Sequence, residues 1–325
     1  MKTNRLFFAL LLLVGVGCSP TRQAKHQRNE TPFNGIYYWK TTFALNETEQ
    51  YFLKEHKVNH LYLRLFDVVD SDESIQVNNF VYDVVPNATI TFKQAVPEGL
   101  EIVPVVYITI DALRKMAGRE EEFAKLITER VMHIADFNDL GTIHEVQLDC
   151  DWTQRTQESY FLLCKETSEL LMGLDIQLSC TIRLWQLGLS APPVDKGVLM
   201  LYNTGSIASP ETSNSILDIN DVKPYLKSST YPLHLDYALP TYDWYVWFHN
   251  GQYHGLLHQF DDNLSIQPGD TIRHEQVSFE QIMVVKQAVT NQLQEQNANI
   301  ILYHLDSANL SNYTSHEIDQ IFSRN

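Results

Sequence analysis

The sequence predicts an α/β fold of the (β/α)8 barrel type, on three observations. Eight short apolar or aromatic runs alternate with helical patterns from Asn34 to the end of the 325-residue chain. The fourth run carries polar side chains on the face opposite its apolar ones, as at a barrel strand that leads into a site. No glycine-rich phosphate turn follows the first run, which disfavours an open doubly wound sheet, the other fold built from this alternation.

The strand-like runs are 35–43, 60–69, 101–108, 143–152, 176–185, 198–203, 234–239 and 300–305. Helical periodicity separates most of them. It is seen over 47–56. It is strongest over 120–137, where Phe123, Leu126, Ile127, Val131 and Ile134 share a face. Residues 157–171 carry Tyr160, Phe161, Leu163, Cys164, Leu170 and Leu171, and 279–296 carry Ile282, Met283, Val285, Val289 and Leu293. Ser315 is placed to cap a last helix over 315–322. Two regions depart from the repeat. Residues 70–92 predict extra structure after strand two. Residues 244–268 predict a β-hairpin inserted after strand seven, because Asn250-Gly251 between two aromatic runs signals a type I′ turn.

The chain begins MKTNRLFFALLLLVGVGCSP. Lys2 and Arg5 precede an apolar run over 6–14, shorter than the roughly 20 residues a membrane span needs, which is the layout of a secretory signal. The stretch Gly15-Val16-Gly17-Cys18 resembles the bacterial lipobox, although Gly15 stands where that motif has Leu. The resemblance implies cleavage before Cys18 and lipid on its thiol. Residues 1–17 are then the signal, 18–32 a flexible polar tether, and 33–325 a single barrel domain anchored to the cell envelope. Without Lys2 and Arg5 the chain keeps 22 basic against 40 acidic residues, a formal charge of -18. That balance excludes nucleic acid as a partner and an electrostatic hold on anionic lipid, so membrane attachment falls to the acyl chains, more than one being needed. No cofactor or metal motif is present, Cys150, Cys164 and Cys180 read as buried apolar residues or a disulfide plus one thiol, and a monomer is expected.

The fourth run, HEVQLDCDWT over 144–153, is the most informative. Strand alternation sets Val146, Leu148 and Cys150 on one side and Glu145, Gln147, Asp149, Asp151 and Thr153 on the other. Asp149 and Asp151 fall at the C-terminal end, where barrel enzymes keep their chemistry; a hydrogen-bonded polar plug is the other reading. LDCDWT resembles the strand-four signature D-x-x-D-x-D-x-E of the family 18 glycoside hydrolases, the chitinase-like barrels. Met200-Leu201-Tyr202-Asn203 is similar to that family's M-x-Y-[DN], and DYALPTYDW over 236–244 to its G-L-P-x-Y-G segment. The resemblance implies a barrel that acts on or binds a glycan. Two positions depart from it. Val146 stands at the first Asp of the motif, and Thr153 stands where the family has its general acid. A hydroxyl cannot protonate a leaving oxygen as a carboxylic acid does. Three readings stay open: Asp149 or Asp151 serves as the acid, a carboxylate from another strand does, or the site binds without cutting.

Arg183 on strand five is placed to pair with Asp149 or Asp151 and to contact a polar ligand. Trp185, Tyr202, Tyr242 and Trp244 are candidate stacking surfaces for sugar rings. Asn203 and Asp236 complete the expected binding set. Further carboxylates predicted near strand ends are Asp67, Asp111, Asp243 and Asp306.

Overall fold

The computed structural model describes residues 32–77, 80–227, 230–257, 266–295 and 297–324. The signal, Cys18 and the tether up to residue 31 lie outside the described residues. Eight parallel strands form the barrel: β1 (Asn34–Tyr38), β2 (Val58–Val77), β3 (Glu101–Ile108), β4 (Glu145–Asp149), β5 (Gln177–Arg183), β6 (Lys196–Met200), β7 (Leu235–Pro240) and β8 (Ile300–Tyr303). The barrel is closed, because β1 hydrogen-bonds to both β8 and β2. The expected (β/α)8 architecture is therefore the fold. At Gly197 on β6, a side chain would meet Leu235 at 2.8 Å and Ile182 at 3.0 Å, so the bare backbone lets the neighbouring strands close.

The helices are α1 (Glu47–Glu55), α2 (Ile110–Met116), α3 (Glu120–Phe137), α4 (Gln157–Met172), α5 (Ile219–Val222), α6 (Phe279–Leu293), α7 (Ser307–Leu310) and α8 (Ser315–Phe322). Among the described residues no α-helix lies between β2 and β3 or between β5 and β6, where only a 3-10 turn (Leu184–Gly188) intervenes. The long helix buries Phe123, Ile127, Val131 and Ile134 as its periodicity predicts. Leu126 and Leu170 are corrections: both are exposed, because Ala124 and Thr128 on α3 and Thr167 and Ser168 on α4 take the inward positions beside them. The last helix is capped by Thr314 rather than Ser315. The Thr314 hydroxyl accepts from the Glu317 amide and the Glu317 carboxylate accepts from the Thr314 amide, a reciprocal capping box.

Both departures from the repeat are structured. β2 runs past the barrel and pairs antiparallel with Phe80–Asn87. The insertion after β7 is larger than the expected hairpin. Trp244–His249 pairs antiparallel with Gln252–Leu257 through the Asn250-Gly251 turn, both turn residues at positive φ, and on its other edge with Asp270–Glu275. The third strand, DTIRHE, is too polar to announce itself by hydrophobicity. No helix among the described residues is long and apolar enough to cross a membrane.

Candidate functional site

At the C-terminal end of the barrel, β4 places its polar face inward as alternation requires. Gln147 accepts from the Tyr37 hydroxyl at 2.7 Å and donates to Ser179 at 3.3 Å. One step up, Asp149 is 3 % exposed and accepts from the Thr181 hydroxyl at 2.7 Å. Arg183, the last residue of β5, donates through Nε to Asp151 and sets Nη2 at 3.8 Å from Asp149. One guanidinium thus serves both carboxylates. Burial pushes Asp149 above the ordinary carboxylate range; Arg183 opposes that shift and Asp151 adds to it. Burial likewise disfavours the Arg183 charge, but the two aspartates more than offset it and hold the cation firmly. The Asp151 side chain stays 44 % exposed, so the upper half of the pair faces outward.

Beside this pair stands an aromatic cluster. Tyr202, just past β6, lies 5.9 Å beneath the Arg183 guanidinium and 4.7 Å from the ring of Tyr303, the last residue of β8. Tyr242, just past β7, meets Tyr202 at 6.1 Å, Tyr303 at 5.7 Å and Trp244 at 5.3 Å. Its hydroxyl donates to Asn203 at 2.7 Å, and Asn203 turns with positive φ to receive it. Trp39, after β1, packs 5.7 Å from Tyr303 and lies under Arg64 at 5.3 Å. Tyr202 and Tyr242 are buried, so the middle of the mouth is filled with rings, and Trp39, Tyr303 and Trp244 form its half-buried rim. Burial raises the phenols of Tyr202 and Tyr242 well above their usual range, which keeps them neutral donors.

Most of the expected set therefore converges: Asp149, Asp151, Arg183, Tyr202, Asn203, Tyr242 and Trp244. Two residues do not join it. Asp236 is the second residue of β7 and sits at the N-terminal floor of the barrel. There it accepts from the Asn299 amide at 2.7 Å and its side chain at 3.0 Å, and lies 3.8 Å from Lys196. Trp185 falls in the 3-10 turn because β5 ends at Arg183. It is 38 % exposed and its ring meets Trp152, which packs on Tyr160 and Phe161 of α4. It thus stands on the helix side of the mouth.

Tyr303, Trp39 and Arg64 belong to the mouth and were not in the expected set. Tyr303 carries the same signal as Tyr202, an aromatic at the C-terminal end of an apolar run. Arg64 was hidden by a register shift between Arg64 and Phe66, which lets it grip Asp67 with Nε at 2.7 Å and with Nη2.

The remaining carboxylates are each engaged. Asp111 pairs with Arg114 at 2.5 Å, and Asp243 with His274 at 2.9 Å. Asp306 caps α7 and pairs with Lys40 at 3.2 Å. Glu275, on the inserted sheet, is buried and accepts from Ser215 at 2.5 Å, Trp244 Nε1 at 2.7 Å and Arg273 at 2.6 Å. The Thr153 amide donates to Thr156 Oγ1 at 2.9 Å, and the two hydroxyls lie 3.4 Å apart in the turn that opens α4. Among the described residues no group of three or more His, Cys, Asp or Glu is placed to hold a metal ion. Cys150, Cys164 and Cys180 are buried and form no disulfide among the described residues.

No protein-family model matches the sequence. No curated protein matches it by sequence. Solved structures do match the fold. A chitinase from Chromobacterium violaceum superposes with a TM-score of 0.56 at 10% identity, covering 90% of this chain and 99% of that one. The spore cortex-lytic enzyme SleL of Bacillus cereus gives 0.53 at 12%, covering 90% and 75%. A chitinase-like agglutinin from Robinia pseudoacacia gives 0.53 at 12%, covering 89% and 99%. The chain thus has the (β/α)8 barrel of chitinases and chitinase-like proteins.

Proposed function

We propose that this protein is a lipid-anchored glycan-binding protein on a chitinase-like barrel that holds its ligand without cutting it. The observation that carries this reading is the commitment of the strand-four acids. Asp149 is sealed and hydrogen-bonded, Asp151 is the counter-ion of Arg183, and both rise from one wall. A hydrolase needs an acid and a second carboxylate flanking the bond, about 5–9.5 Å apart, or an acid beside a substrate group that does the second task. Thr153, at the position of the resembled family's acid, is drawn into a local turn with Thr156. The aromatic rim of Trp39, Tyr303 and Trp244 offers faces on which the apolar side of a sugar stacks. That a chitinase-like agglutinin from Robinia shares this barrel supports the binding reading. Cys18, through its lipobox-like setting, is the proposed anchor, and places the barrel in the cell envelope with its mouth available to extracytoplasmic glycan.

The test is titration of the detergent-extracted protein with chitin oligosaccharides and other envelope glycans, with reducing ends assayed in parallel. Saturable binding without new reducing ends is expected, and Trp39→Ala should weaken it about threefold to tenfold, the worth of one stacked ring. Release of reducing ends that Asp151→Asn abolishes would make the protein an enzyme instead. In the same preparation Cys18→Ser should move the protein from the membrane pellet to the soluble fraction; a variant that still sediments with membranes rejects the anchor.

A further inference from the structure

Taken in barrel order, the mouth has two unlike arcs. Tyr202, Tyr242, Tyr303 and Trp39 stand at the ends of four consecutive strands, β6, β7, β8 and β1. The opposite arc, β2 to β5, carries the ion pairs Arg64–Asp67 and Arg183–Asp151. Between the two pairs, on β3, stands Tyr107. Strand pairing sets it level with Asp67 on β2 and with Asp149 on β4. Side chains level on paired strands point to the same face, so Tyr107 turns inward with Asp149. Val105, two residues below, is level with Gln147 on that face. Tyr107 is thus the last inward side chain of β3, which ends at Ile108.

The polar neighbours of Tyr107 are committed to one another. Arg64 grips Asp67, Thr181 donates to Asp149 at 2.7 Å, and Arg183 donates to Asp151. The Tyr107 hydroxyl makes no hydrogen bond among the described residues, and the side chain is half-buried. Burial first, then the Asp151 and Asp149 charges, push its phenol upward, so it meets the mouth as a neutral O–H. A polar group in such a setting is normally satisfied, by protein, water or ligand.

We propose that Tyr107 is the hydrogen-bonding group that fixes how a glycan lies in the mouth, by donating to an uncharged oxygen of the sugar. The proposal rests on the glycan reading above. Stacking on the aromatic arc holds a sugar by its face and leaves it free to turn in its own plane. One polar contact from the opposite arc removes that freedom. The same place disfavours an anionic sugar. Asp67, Asp149 and Asp151 set three carboxylates against the guanidiniums of Arg64 and Arg183, and like charges repel. A hydroxyl, ring or amide oxygen meets no such repulsion.

Calorimetric titration of the full-length protein in detergent, at constant ionic strength, tests it with chitin and cellulose oligosaccharides, and with oligogalacturonides as the anionic match. The wild type should bind at least one neutral chain saturably, and about tenfold more tightly than the oligogalacturonides. Tyr107→Phe keeps the ring and its packing, and should weaken binding of that chain about tenfold, the loss of one hydrogen bond. It should leave the melting temperature of the unliganded protein unchanged, since the hydroxyl has no protein bond to lose. Wild-type affinity in Tyr107→Phe, with Trp39→Ala still weakened, would overturn the proposal and leave the glycan reading standing. Oligogalacturonides bound as tightly as the neutral chains would overturn it too. No saturable binding of any of these glycans by the wild type would overturn both.

Discussion

Lys196→Met is expected to cost the fold about 3–5 kcal/mol, the usual penalty for removing one partner of a buried ion pair. Lys196 Nζ lies 2.7 Å from Glu145 and 3.8 Å from Asp236, and all three are buried at the barrel floor. Burial, with a smaller push from Asp236, drives the Glu145 carboxyl upward, and Lys196 is the main force holding it down. Methionine keeps the length of the side chain and its packing over Phe33, where Nζ now sits 5.3 Å above the ring. The loss thus reports charge rather than volume. Chemical denaturation measures it, and Glu145→Gln in the same chain should restore much of it. A single variant as stable as the wild type would mean that water reaches this floor and screens the pair.

The same floor sets how stability varies with pH. His60 stacks on Phe33 at 3.7 Å, and burial followed by the Lys196 charge lowers it from 6.5 to about 4. The unfolded chain takes up that proton first, so stability falls as pH drops from 6.5 towards 4. His234 is displaced the other way, to about 10, by its hydrogen bonds to Asp236 and then Glu295. Its contribution is complete below 6.5 and lost as pH rises through 10. The melting temperature should therefore peak near neutrality; a continued rise above pH 6.5 would contradict the assignment of His234, and no loss between 6.5 and 4 that of His60.

Asp236 shows what a strand run can and cannot tell. Its place in the seventh run makes it a strand residue, but a run of six carries no sure height along the barrel. β7 continues to Pro240, which leaves Asp236 near the strand's start and at the opposite end from the mouth. Trp185 fails for the complementary reason, since alternation was carried past the end of β5 at Arg183. Arg64 and Asp67, three residues apart, should face opposite ways on a regular strand, and only the register shift between them makes the pair. By contrast, the Asp149–Arg183–Asp151 arrangement was legible because neighbouring parallel strands bring equal heights together. Ser179 aligns with Gln147 and Cys180 with Leu148, so Thr181 and Arg183 follow beside Asp149 and Asp151. The long helix was legible from periodicity, whereas the strand DTIRHE is held by main-chain pairing, to which hydrophobic pattern is blind.

Arg183→Met should likewise destabilise the protein by about 3–5 kcal/mol at neutral pH, and here the pH dependence separates a structural role from ligand contact. Asp149 is already held above the usual carboxylate range by burial, with Arg183 the largest force against it. Without the guanidinium its folded pKa rises further. A carboxyl with a raised folded pKa destabilises the fold above that pKa and ceases to do so when protonated. The penalty should then be greatest at neutral pH and shrink on acidification, and Asp149→Asn should remove most of it at neutral pH. Equilibrium denaturation of the two single variants and the double variant at two pH values measures the coupling. A guanidinium kept only to contact ligand would behave otherwise. Its loss would leave stability nearly unchanged at every pH and show instead as weaker glycan binding, which Asp149→Asn could not repair. A large coupling that fades with acid identifies Arg183 as the counter-charge that lets two aspartates occupy this wall. That role commits both carboxylates to one cation, so the proposed lack of hydrolysis and the stability of the mouth would share one cause.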